Sequence, residues 1–107
     1  MSVVELPLTP VDQELLRLLA DPLRAQIVEL LAVEQLCTGH LVEATGAGQS
    51  NVSNHLRALR SAGILAAEPA GRFTYYRLLP EPLLALSDRF GALAALAAAS
   101  TDVKRPC

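Results

Sequence analysis

The sequence predicts an α+β domain, mainly helical, carrying a two-stranded β wing. Three observations lead there. Val52, Leu56, Leu59 and Ala62 recur at helical spacing and give one apolar stripe, which Gly63 stops. Gly46-Ala47-Gly48 joins that helix to a shorter one before it, as in two helices linked by a tight turn. Two β-prone runs, Ile64 to Pro69 and Arg72 to Leu78, flank Ala70-Gly71 as a hairpin would.

In chain order, Met1 to Thr9 has no clear period and reads as a flexible arm. Thr9-Pro10 is a cap followed by proline, and opens a helix from Val11 to Ala20. Leu15, Leu16, Leu18 and Leu19 make that helix too apolar for one face of a monomer, which places it partly in a subunit interface. Asp21-Pro22 repeats the start signal for a second helix to about Val33, buried through Leu23, Ile27, Leu30 and Leu31. A third, short helix runs from about Thr38 to Thr45, with Leu41 and Ala44 inward and Gly46 as its stop. The fourth begins with Gln49 or Ser50 as cap. In the hairpin, Tyr75 and Tyr76 alternate faces, one toward the core and the other toward the fourth helix. Pro80-Glu81-Pro82 starts a last helix to about Ser100, apolar around most of its circumference, with Asp88-Arg89 as a solvated spot. Such a helix needs a partner, and a second copy is the simplest one. Residues 101–107 read as a frayed tail.

The outer face of the fourth helix carries Gln49, Ser50, Asn51, Ser53, Asn54, Arg57 and Arg60, and no carboxylate. A helix facing only water usually pairs Glu with Lys there. Amides and hydroxyls at a helix start suit base edges and arginines suit phosphates, so the pattern fits the major groove of double-stranded DNA. Arg72, just past the hairpin tip, suits a phosphate or the minor groove.

The 107 residues make one domain with a formal charge of −2 and half of its residues apolar. The acidic total argues against a generic nucleic-acid binder. Its distribution does not. Residues 1–43 hold seven carboxylates against Arg17 and Arg24, whereas residues 44–77 hold Arg57, Arg60, Arg72 and Arg77 against Glu68 alone. No uninterrupted apolar run reaches about 18 residues, and no basic segment precedes an apolar N-terminal stretch, so neither a membrane span nor a secretion signal is expected. Cys37 and Cys107 make no disulfide framework, as in a cytoplasmic protein. Enzyme chemistry has no foothold: no phosphate-cradling loop and no His-rich metal helix are present. Ser53 and His55, two apart on a helix, point to different sides.

Four stretches resemble the ArsR/SmtB family of winged helix-turn-helix repressors: Leu19 to Ile27, Leu36-Cys37-Thr38-Gly39-His40-Leu41, Gln49 to Leu59, and Gly71 to Leu78. They fall within residues from about 15 to 96, in the family's order. The resemblance implies a homodimer paired through the first and last helices, an inverted-repeat operator, and an effector that changes DNA affinity. It places Ser50, Asn51, Ser53, Asn54 and His55 where the family reads bases and phosphates, and Arg72 at the wing. For His55, DNA contact and packing within the motif are both open.

Cys37 matches the first cysteine of the family's metal box, Gly39 stands at the second, and His40 replaces the box aspartate. Thiolate and imidazole three residues apart suit nickel, zinc or cobalt. The missing second thiol argues against trivalent arsenic. Further ligands would have to come from Glu34, from Asp12 or Glu14 on the first helix, or from Asp102 or Cys107 on the tail of a second copy. The family's other site, on the last helix, is replaced by Pro80, Pro82, Leu93 and Leu96. Against the metal stand a small buried Cys37 with an exposed His40, and a redox thiol at a helix start. Against DNA stands a winged helix that binds protein instead.

Overall fold

The computed structural model describes residues 7–107, so most of the N-terminal arm expected at 1–9 lies outside the described residues. Five helices and three short strands follow: α1 (Pro10–Leu19), α2 (Pro22–Leu31), β1 (Leu36–Cys37), α3 (Thr38–Thr45), α4 (Gln49–Ser61), β2 (Leu65–Ala70), β3 (Phe73–Leu78) and α5 (Pro80–Ala99).

Local chemistry accounts for most boundaries. Thr9 Oγ1 accepts the Asp12 N–H at 3.1 Å while Asp12 Oδ2 accepts the Thr9 N–H at 2.9 Å, a reciprocal capping box at the start of α1. Asp21 Oδ1 takes the N–H groups of Leu23 and Arg24 at 2.9 and 3.1 Å, ahead of Pro22 at the first position of α2. Gly46 closes α3 in the left-handed region, with φ of 74°. Gln49 and Ser50 are both inside α4 and neither caps it. That place falls to Gly48, which has no side chain to offer.

The wing is a sheet of three strands, not two, in the order β1-β3-β2. β1 is too short to show a period in sequence, but pairs Leu36 with Tyr76 and Cys37 with Tyr75. β2 and β3 are antiparallel from Leu65↔Leu78 to Ala70↔Phe73, so the turn is Gly71-Arg72, one residue later than expected. Gly71 has φ of 64° and, among the described residues, only glycines are left-handed, the pattern of a II′ hairpin turn. Tyr76 packs on the core. Tyr75 meets the ring of His40 edge-on, with centroids 5.9 Å apart, and so packs toward α3 rather than α4.

The core joins α1 to α4 and the base of the wing through Leu15, Leu18, Ile27, Leu31, Leu41, Val52, Leu56, Leu59, Ile64 and Leu65. Ala44 and Ala62, expected inward, are exposed, Ala62 because it is already the cap that ends α4. α5 adds only Leu86 to the core and leaves Leu84, Phe90 and Leu96 at 62%, 45% and 50% exposure. The molecule is elongated: its radius of gyration is 18.0 Å, against about 13 Å for a compact chain of this length. Asp88-Arg89 is not merely a solvated spot, because Arg89 Nε lies 2.7 Å from Asp12 Oδ2, whose side chain is 6% exposed. α5 has the length and hydropathy of a membrane span. It also carries Asp88 and Arg89 midway, however, and their cost in hydrocarbon favours a protein partner.

Candidate nucleic-acid interface

α4 crosses the molecule with Val52, Leu56 and Leu59 fully buried, which fixes the face it turns outward. Gln49, Ser50 and Asn51, its first turn, are exposed, as are Asn54, Arg57 and Arg60, whereas Ser53 is half-buried. No acidic residue lies in that turn. Because Gly48 supplies no side-chain acceptor, the first-turn N–H groups are left for an outside partner, and the helix dipole adds partial positive charge there. Arg57 Nη1 donates to Asn54 Oδ1 at 3.1 Å, which engages one amide oxygen of the outward face. Arg72 is exposed at the wing tip, its guanidinium 5.9 Å from the Phe73 ring centroid. Gln49 and Arg72 both line a groove of about 410 Å³, together with Cys37, Thr38 and Tyr76.

His55 departs from the other α4 residues. Its side chain is 15% exposed, with Nε2 3.9 Å from Asp21 Oδ1, and Nδ1 is 3.2 Å from Arg24 Nη1. Arg24 Nε in turn donates to the Leu18 carbonyl at 2.6 Å, at the end of α1. These contacts tie α4 to the α1–α2 corner. Sequence reasoning placed Arg24 only within a motif and missed this role, since the pairing spans 31 positions.

Cys37 and His40 do come together, but as a helix start. The Cys37 N–H donates to His40 Nδ1 at 3.1 Å, so one ring nitrogen already has a partner. Among the described residues, no group of three Cys, His, Asp or Glu side chains is placed to hold a metal ion. Asp12, a possible further donor, is engaged by Arg89. The donor set of one subunit therefore does not fit a nickel, zinc or cobalt centre, which takes four ligands or more. Both cysteines are free.

Residues 21–67 match the profile of the bacterial regulatory protein, arsR family. The HTH-type transcriptional regulator CmtR of Mycobacterium bovis is 36% identical over 91 residues, 85% of this chain and 74% of the relative. The chain belongs to the ArsR/SmtB family. To the HTH-type transcriptional repressor SmtB of Mycobacterium tuberculosis this ArsR/SmtB member is 46% identical over 65 residues, 61% of its own length and 48% of the relative's. It thus spans about half the length of the first curated relatives it matches. Among solved structures, a homodimeric winged helix-turn-helix DNA-binding domain from Mycobacterium bovis, a possible ArsR-family regulator, superposes with a TM-score of 0.64. That domain is 26% identical, over 90% of this chain and 88% of the other. The family is one of transcriptional regulators, not enzymes.

Proposed function

We propose that this ArsR/SmtB member is a homodimeric DNA-binding repressor acting in the cytoplasm. Each subunit lays α4 in the major groove of an operator half-site, with Arg72 of the wing on the flanking backbone. One observation carries the reading: the first turn of α4 is exposed, uncapped and free of carboxylates. Gln49, Ser50 and Asn51 there offer donors and acceptors to base edges, and the helix start offers N–H groups to a phosphate. Arg57 and Arg60 continue the same face with positive charge. In this reading Ser53 and Asn54 sit at the edge of the contact, and His55 supports it from within. The solved homodimeric relative supports pairing of subunits. The two donors Cys37 and His40 do not by themselves support nickel, zinc or cobalt control, and the DNA reading does not depend on it.

Fluorescence anisotropy tests the proposal, with duplexes selected from a random library against a shuffled duplex. The selected sequence is expected to bind at least about a thousandfold tighter. Asn51→Ala should cost about 1–3 kcal/mol on the selected sequence and little on the shuffled one. Arg72→Ala should weaken both alike and lower the slope of log affinity against log salt by about one. Weak binding indifferent to sequence would overturn the reading and favour a winged helix that binds protein.

A further inference from the structure

We propose that Asp12 and Arg89 are positioning residues: their ion pair fixes the angle at which α5 leaves the body, and thereby the separation of the two reading helices. The inference rests on the dimeric DNA-binding reading above and concerns which half-site spacing the dimer accepts.

α5 is twenty residues long and buries only Leu86. One apolar contact is a pivot, since apolar burial has no direction of its own. Arg89 follows three positions on, on the same helical face. Its Nε meets Asp12 Oδ2 at 2.7 Å. Its Nη1 donates to the Ala85 carbonyl at 3.0 Å, so the guanidinium is held from both sides. Asp12 is equally constrained, because the same Oδ2 accepts the Thr9 N–H within the α1 capping box. Asp12 is 4% exposed, so neither water nor salt competes freely for the carboxylate. A charge-assisted bond of this length is directional, and together with Leu86 it turns a pivot into a fixed joint.

The joint matters because α5 leaves Leu84, Phe90 and Leu96 exposed for a second subunit. Any change in its angle is passed to the partner's reading helix. Half-sites lie about 34 Å apart, one turn of duplex. Across that distance a tilt of about 6° displaces the second reading helix by about 3.4 Å, one base-pair step. A small loosening of the joint therefore blurs spacing without touching any DNA contact.

The test uses the full chain and its library-selected operator. Affinity is measured on duplexes whose half-sites stand at the selected spacing, one base pair closer or one farther, and on a single half-site. The double variant Asp12→Asn/Arg89→Met keeps an acceptor for the Thr9 N–H and an aliphatic stem over the core, but removes the ion pair. Arg89→Lys keeps the charge and loses the planar geometry. Wild type should prefer the selected spacing by about tenfold or more. The double variant should keep its dimer constant, by sedimentation, and its single half-site affinity within about threefold. Its spacing preference should collapse to about threefold or less, with Arg89→Lys in between. Unchanged spacing preference in both variants would overturn the inference, as would a loss of single half-site affinity equal to the loss on the full operator. Should wild type itself fail to prefer the selected operator over shuffled DNA, it is the DNA-binding reading that fails.

Discussion

Asp21 shows how one short side chain serves both a helix start and the placement of α4. Its carboxylate caps α2 and also faces His55 of α4. The Arg24 N–H, above all, holds it below its ordinary pKa of 3.8, with His55 and the Leu23 N–H adding to the effect and partial desolvation opposing it. A carboxyl lowered on folding stabilises above its unfolded value and loses that contribution as pH falls through the lower folded value. Asp21→Ala is therefore expected to be less stable than wild type at neutral pH, and the gap in urea midpoints should close as pH falls below 3.8. A gap independent of pH would mean that the charge contributes nothing. The neighbouring contact makes a second expectation. For Arg24 Nη1 to donate at 3.2 Å, His55 Nδ1 must be the unprotonated nitrogen. Arg24→Ala and His55→Ala should then couple by about 1 kcal/mol in a double-mutant cycle of stability. His55→Ala should also weaken selected and shuffled DNA alike, as befits a support rather than a reader.

At the scale of elements, the end of α4 sets where the wing begins. Gly63 has φ of 79°. Its N–H bonds the Arg60 carbonyl and the Ile64 N–H bonds the Leu59 carbonyl, both at 3.0 Å. Leu59 and Ile64 are buried together beside them. This is a Schellman cap with its apolar contact, and β2 starts one residue later at Leu65. A Cβ on Gly63 would meet nothing within 4 Å, so the cost of Gly63→Ala is that of the backbone alone. It should be about 1–2 kcal/mol, read as a lower urea midpoint at unchanged slope. Caps of this kind were legible in the sequence, as were the buried stripes, because proline, aspartate and glycine act locally and helical spacing repeats. β1 was not legible, since two residues carry no period and exist as a strand only through Tyr75 and Tyr76. Nor were the inward turn of His55 and the Asp12–Arg89 pair. Each depends on a residue distant in sequence, and a helix register alone does not say which polar side chain finds a buried partner. The outward, carboxylate-free face of α4 was largely legible from composition. The accessibility of its members was not: Ser53 is half-buried and Asn54 is engaged by Arg57, whereas Asn51 is exposed.

The whole molecule holds apolar surface that one subunit cannot cover. α5 projects from the body with Leu84, Phe90 and Leu96 exposed, in a particle 62 Å long and 23 by 21 Å across. Exposed apolar surface of this extent, spread around a helix, is rare on stable monomers and usual at subunit interfaces. Symmetric pairing along α5 would cover part of that surface and present two basic faces, each bearing Arg57, Arg60 and Arg72, to one side of an otherwise acidic dimer. A net charge of −2 per chain is then compatible with DNA binding, because seven of the eleven acidic residues lie in the first 43 positions while Arg57, Arg60 and Arg72 cluster on the outward face of α4 and the wing. The expectation is concrete for Phe90→Asp/Leu96→Asp. Neither residue is buried within the subunit, so the fold should survive, with helical circular dichroism and urea midpoint close to wild type. Burying carboxylates in the pairing surface should make the protein monomeric in sedimentation at concentrations where wild type is dimeric. Full-operator affinity should then fall by about 10²–10⁴, the loss expected when two linked half-site contacts become independent, while a single half-site is bound as before. A variant that stays dimeric with full operator affinity would place the subunit interface elsewhere and leave the apolar surface of α5 for another partner.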